Sequence, residues 1–206
     1  MKVGIYTNSI GLLSYFTAIK FCVGGHLFSF HDLESGILRS NRPAPYSPFV
    51  QIGPSGKDPR QSLVVPDEKV DCRIHFGLNC GAKSCPPVKS FTAEGIEEEL
   101  RIVAMAFFED DDNAQVDVKC RTISLSQIIS WYRIDFASSN NLLPRTIVQF
   151  LRGDKKDQLQ AMIDDGKSIK IKFKTYDWTT NASDFVPYRK SNLQADTTPT
   201  LGWGIF

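Results

Sequence analysis

A single α+β domain, built on a small mixed or antiparallel sheet with several helices, is what the sequence predicts, on three observations. Apolar and polar side chains alternate along residues 71–78 and again along 168–175, the period of a strand with one buried face. Along residues 92–108 the period is helical: Ile96, Leu100, Val103, Ala104 and Phe107 share one face, and Glu97, Glu98, Glu99 and Arg101 cover the rest. The third observation is size, since 206 residues with 42% hydrophobic content suffice for one substantial core. The domain is expected over residues 16–190, between an unassigned segment 1–15 and a polar tail 191–206.

Taken in order, residues 1–15 carry no periodic pattern. Residues 16–30 are apolar around Gly24-Gly25 and read as strand, turn, strand. Residues 32–39 read as a short helix, with His31 or Asp32 near its cap and acids in its first turn. Recurrent Pro and Gly make residues 41–66 a long irregular loop. In the strand 71–78, Cys72, Ile74, Phe76 and Leu78 face one side, and Arg73, His75, Gly77 and Asn79 the other. It runs into a cysteine-rich loop stopped by Pro86-Pro87.

After the helix 92–108, the acidic run 109–112 is a solvated turn, because it lacks the alternating ligands and central Gly of a calcium loop. Val116, Val118 and Cys120 alternate as a strand. Ser124-Leu125-Ser126-Gln127 reads as a capping box that opens a helix through Ile128, Ile129 and Tyr132. Pro144 suits the first turn of the next helix, with Gly153 closing it. Leu159, Met162 and Ile163 mark a further helix closed by Gly166. In residues 168–175, Ile169, Ile171 and Phe173 alternate with three lysines as a half-exposed strand.

Composition excludes some classes. The formal net charge is +1, with 24 Lys+Arg against 23 Asp+Glu, so no nucleic-acid partner is expected. No apolar run approaches the roughly 18 residues of a membrane span, and Lys20 interrupts the best candidate. Lys2 followed by residues 10–18 imitates a signal peptide. Ser14 and Thr17 break the apolar run, and Lys20-Phe21-Cys22 is a poor cleavage site. Five cysteines without a framework spacing favour reduced thiols and a cytoplasmic setting. Asn181-Ala182-Ser183 is a glycosylation sequon, relevant only to a secreted chain.

Chemistry is expected in RIHFGLNCGAKSCPP, residues 73–87. Cys80 and Cys85 are two thiols on a loop with Gly81, which permits close backbone approach. His75 and Lys83 could stabilise a thiolate, and Asn79 or loop N–H groups could form an oxyanion hole. Cys80 is favoured as nucleophile because it follows the strand that carries His75. The blander readings are two small core cysteines and a structural His75 bonded to a carbonyl, with His26 and His31 as surface or capping residues. The spacing Cys72-x2-His75-x4-Cys80-x4-Cys85 also suits zinc, but Cys72 and His75 would face opposite sides of a strand, so no metal or other cofactor is expected. The run Gly77 to Ser84 misses a phosphate-binding loop by one residue: Ala82 replaces a glycine, and Pro86-Pro87 would interrupt the helix such a loop must open. The spacing of Cys80 and Cys85 is not that of a thioredoxin-like pair, although a reversible disulfide fits it.

The same stretch resembles the domain-of-unknown-function 547 family. The likeness continues upstream in VGGHLFSFHDLESGILRSNRP and downstream in SLSQIISWYRIDF and IKIKFKTYDWTTN, from about Phe16 to Asn181. That family has no settled biochemical role. Its cysteine and histidine positions imply a papain-like or transglutaminase-like thiol hydrolase by analogy of fold. The resemblance implies a cysteine-dependent hydrolase or acyl transferase, working or degenerate, on a protein or peptide-like substrate. Asp177 of the Tyr-Asp-Trp segment would orient a histidine, or serve as a strand-end turn with Trp178 capping the core. Two positions depart from the family. Its usual histidine before the glycine is Ser35 here, which cannot act as a base near pH 7, and His31, one helical turn earlier, could partly replace it. Its upstream helix has no counterpart in residues 1–15, so the chain reads as a shortened domain. A non-catalytic interaction module is the alternative that both departures favour.

Overall fold

The computed structural model describes residues 15–45, 47–53 and 56–179. The expectations for residues 1–14, the tail and the sequon lie outside them. The architecture is α+β, with a two-stranded antiparallel pair, a three-stranded mixed sheet and helices. The chain forms two compact units, one of Met1–Cys72 and Trp131–Ser138, the other of Arg73–Ser130 and Ser139–Phe206.

In the first unit, β1 (Lys20–Val23) pairs antiparallel with β2 (His26–Ser29). Gly24 and Gly25 join them at φ of +57° and +82°. Two positive φ values give a tight turn whose twist matches its strands, and glycine adopts them without a Cβ clash. The expected helix follows as Asp32–Leu38, wound more widely than an α-helix. Arg39 and Asn41 N–H groups donate to the Glu34 and Gly36 carbonyls, five residues back. Ser29 Oγ and N–H both donate to Asp32 Oδ2 at 2.8 Å, and Asp32 N–H returns to Ser29 Oγ at 3.0 Å. His31 stands at the cap position without a side-chain cap bond and is buried, so it is neither a surface nor a capping residue.

A charged cluster fixes this helix. Arg39 is 1% exposed. It pairs with Asp135, donates to Pro43 O at 3.2 Å and Ser35 Oγ at 3.5 Å, and lies 4.8 Å over the Tyr132 ring. Arg42 Nη1 reaches the same Asp135 at 2.7 Å, and Tyr132 Oη donates to Glu34 at 2.6 Å. The long loop is docked rather than free over residues 51–52. Asn41 Oδ1 accepts Gln51 and Ile52 N–H, and its Nδ2 donates to Ile52 O. A Cβ on Gly36 would meet Ile52 Cγ1 at 2.8 Å, so only glycine allows this approach.

In the second unit, α1 (Ile96–Glu109) buries Leu100, Val103, Ala104 and Phe107 of the expected apolar face and Phe108 as well, with Ile96 only half-buried. Antiparallel β3 (Ala114–Asp117) and β4 (Thr122–Leu125) are joined by parallel β5 (Lys170–Phe173). Between β4 and β5 run the helices α2 (Gln127–Trp131), α4 (Leu143–Ile147) and α5 (Gly153–Asp164); α3 (Arg133–Phe136) belongs to the first unit. A parallel partner requires such a crossover. Arg121, at φ +49°, ties the end of α5 to the start of β5 through Asp165, Met162 O, Lys167 O and Ser168 O.

Several expectations are corrected. The central strand 71–78 is a 3₁₀ turn, Cys72–Phe76. His75 and Phe76, which a strand would send to opposite faces, are both buried. Phe76 enters an aromatic cluster 4.6 Å from Phe107 and 5.1 Å from Phe108, so burial in three dimensions prevailed over alternation. The strand expected through Val118 and Cys120 stops at Asp117, and residues 118–121 turn into β4. Ser124 therefore lies inside β4, and Ser126 Oγ instead accepts Ile128 N–H at 3.4 Å at the start of α2. Gly153 opens α5 rather than closing α4; Gly166 follows α5 at φ +69°, as expected. Among the described residues no helix is long and apolar enough to cross a membrane.

Candidate functional site

The 3₁₀ turn ends where Gly77 and Leu78 N–H groups donate back to Ile74 O. Beyond it, Asn79 shapes the thiol loop from both sides: Oδ1 accepts Gly81 N–H at 2.8 Å, and Nδ2 donates to Pro86 O at 2.5 Å. Gly81 turns the chain at φ +86°, where a side chain would be strained. Cys85 N–H closes a turn on Ala82 O at 3.0 Å. The far side of the loop is tied to the chain after β5. Lys83 N–H donates to Thr179 O at 2.7 Å, Ser84 N–H to Asp177 O at 3.3 Å, and Asp177 N–H to Ser84 Oγ at 2.9 Å.

This pairing brings Tyr176 Oη to 3.4 Å from Cys80 Sγ. Cys80 N–H donates to Cys85 Sγ at 3.0 Å. A hydrogen bond from Cys85 is the largest influence on Cys80 and pushes its thiol down to about 6. Burial opposes this, while Tyr176 Oη and the N–H groups of Ala82 and Cys80 assist it. The partners move the other way. Cys85 rises well above the ordinary thiol range, first through its bond to Cys80 and then through burial. Burial, followed by the charge on the thiols, raises Tyr176. Within this set of contacts Cys80 is the more acidic thiol, pushed down where Cys85 and Tyr176 are pushed up.

The other expected residues fall into distinct places. Asn79 is a loop staple, with its amide engaged in holding Gly81 and Pro86. Lys83 is 70% exposed, with Nζ 3.8 Å from Asp177 Oδ2. Asp177 Oδ1 accepts Thr179 N–H at 2.9 Å and Thr179 Oγ1 at 2.6 Å, the strand-end turn, and these bonds hold it below the usual carboxylate range. Trp178 does not cap the core: it is 57% exposed, its ring 4.6 Å from that of Tyr176. His75 is buried on the 3₁₀ turn that leads into the loop. His31 belongs to the first unit, where burial lowers its imidazole against the pull of Glu34 and Asp32. Ser35 is fully buried.

Because the stretch is helical, Cys72 and His75 stand three apart on one side of a 3₁₀ turn, and the opposite-face argument against zinc no longer applies. Among the described residues, no group of three or more His, Cys, Asp or Glu is placed to hold a metal ion. No helix begins at Lys83-Ser84, which pair with 177–179 instead, so the phosphate-loop likeness carries no phosphate cradle. Tyr176 was missed by the sequence reading. The available signal was its place beside Asp177 in a segment grouped with the thiol loop by the family resemblance.

Comparison with known proteins finds a family model, the protein of unknown function DUF547, matching residues 1–108. The match takes in residues 1–15 and the thiol loop, and ends before Tyr176. No curated protein and no solved structure matches the chain. Covering more than half of the sequence, from its first residue through the thiol loop, the match shows that the chain belongs to the DUF547 family.

Proposed function

We propose that this protein is a cysteine-dependent hydrolase or acyl transferase acting through Cys80 on a protein or peptide-like substrate. The observation that carries the reading is Tyr176 Oη 3.4 Å from Cys80 Sγ, with Cys85 beside it, neighbours that favour a Cys80 thiolate near neutral pH. The thiolate attacks an acyl carbonyl, forming a C–S bond as the carbonyl π pair moves to oxygen. Collapse of that adduct expels the amine or alkoxide, which takes a proton. Cys85 and Tyr176, both protonated beside Cys80, are the donors at hand. Water or an acceptor amine then releases the acyl group from the thioester, with His75, the only histidine of this unit's sequence, assigned to take the proton. Asn79, Lys83 and Asp177 act by shaping and flanking the loop.

A non-catalytic interaction module is the rival, favoured by Ser35 where the family usually has histidine. Iodoacetamide at neutral pH separates the two when all five cysteines are followed by peptide mass spectrometry. The catalytic reading expects Cys80 to alkylate first, about tenfold ahead of the exposed Cys22 and Cys120. Cys80 reacting no faster than those two would hand the lead to the interaction module.

A further inference from the structure

We propose that Cys80 and Cys85 form a dithiol centre that reduces hydroperoxides, closing to a disulfide that an external dithiol reopens. The inference rests on the Cys80 thiolate of the preceding reading and adds a second substrate class to the same site. Three features carry it. Cys85 Sγ lies 3.0 Å from Cys80 N and accepts its N–H, and the two thiols shift each other's acidity in opposite directions. They sit in one short loop whose ends are stapled by Asn79 and whose far side is tied to residues 177–179, so their closeness is built in. Tyr176 Oη, 3.4 Å from Cys80 Sγ, places a protonated hydroxyl beside the sulfur that an incoming oxygen would approach.

The chemistry closes without a metal or organic cofactor. Cys80 thiolate attacks the terminal oxygen of a hydroperoxide, an S–O bond forms, and the O–O bond breaks. The departing alkoxide or hydroxide takes a proton, for which Tyr176 is the neighbouring donor, and leaves as alcohol or water. Cys80 is then a sulfenic acid. Cys85 sulfur displaces its hydroxyl, which leaves as water with the Cys85 proton, giving the Cys80–Cys85 disulfide, and Tyr176 regains its proton from solvent. Two electrons have passed from the thiol pair to the peroxide. A small-molecule or protein dithiol returns them by exchange through a mixed disulfide. In acyl transfer Cys85 is one of two neighbouring proton donors, a part Tyr176 can also fill, whereas a resolving thiol next to a thiolate protects it from further oxidation.

The test uses the full chain, reduced and desalted, with hydrogen peroxide as probe near pH 7. Trypsin cuts after Arg73, Lys83 and Lys89, so the two cysteines separate onto peptides 74–83 and 84–89. The disulfide is then read directly as a linked pair. The expected result is that this pair forms about tenfold faster than Cys22 or Cys120 oxidises, and disappears with dithiothreitol. In Cys85→Ser, peroxide should leave a sulfenic acid on Cys80 that dimedone traps; circular dichroism checks that the variant is folded. Iodoacetamide on the same wild-type sample distinguishes the two levels of the argument. Fast alkylation of Cys80 with no linked pair after peroxide overturns the dithiol inference and leaves the thiolate reading standing. Slow alkylation of Cys80 overturns both.

Discussion

Cys80 is set apart by two neighbours that favour its thiolate, Cys85, whose Sγ accepts the Cys80 N–H, and Tyr176, with Oη 3.4 Å from its sulfur. A hydrogen bond to a charged acceptor is worth about 1.5–3 kcal/mol, and one pKa unit corresponds to about 1.4 kcal/mol. Removing the tyrosine hydroxyl should therefore raise the Cys80 thiol by roughly one to two units. The sign follows from the reactive form, the thiolate, which is populated above a thiol depressed to about 6 and lost below it. The charged and titratable neighbours on this loop and its paired segment are Cys85, Tyr176, Lys83 and Asp177. Alkylation of Cys80 should rise through about pH 6 and level off by neutrality. In Tyr176→Phe the whole profile should move to higher pH. Superimposable profiles for the two proteins would show that Tyr176 does not donate to the thiolate.

Among the elements, the wide helical turn Asp32–Leu38 depends on close approach more than on helical propensity. Replacing glycine by alanine inside a helix ordinarily stabilises it by roughly 0.5–1 kcal/mol. At Gly36 the new methyl would meet Ile52, which is itself 1% exposed and has no room to yield. Overpacking of this kind costs about 1–3 kcal/mol and outweighs the propensity gain. Gly36→Ala should therefore lower stability by about 1–2 kcal/mol in chemical denaturation. In an Ile52→Ala background the same change should be neutral or stabilising, a coupling that a double-mutant cycle measures directly. An equal cost in both backgrounds would remove Ile52 as the cause.

At the scale of the whole molecule, the first unit is completed by a segment that comes late in the chain. Asp135 neutralises the buried Arg39 and also receives Arg42, and Trp131–Ser138 supplies both Asp135 and Tyr132. Breaking a buried ion pair by removing one partner costs about 3–5 kcal/mol, a large part of the roughly 5–15 kcal/mol that holds a domain folded. A chain of residues 1–108, the stretch that carries the family match, lacks this counter-charge. It should show no cooperative thermal transition by circular dichroism, and Asp135→Ala in the full chain should lower the melting temperature. A sigmoidal melt of 1–108 at the full chain's midpoint would show that the late segment is dispensable.

Some of this could be read directly from the residues. The Gly24-Gly25 turn, the apolar face of α1, Pro144 at a helix start and Gly166 after α5 all act through neighbours a few positions away, so the sequence by itself determined them. The run 72–78 shows the limit: its alternation fits a strand, but a lone short segment without a ladder partner followed Phe76 into an aromatic cluster and wound as a 3₁₀ turn. Cys80 and Cys85 were legible as the candidate thiols from their place on a glycine-containing loop. Which of them is pushed toward the thiolate depends on tertiary neighbours. A thiol's acidity is set by the donors within reach of its sulfur, and Tyr176 comes from 96 residues further along the chain, brought there by the pairing of the loop with residues 177–179.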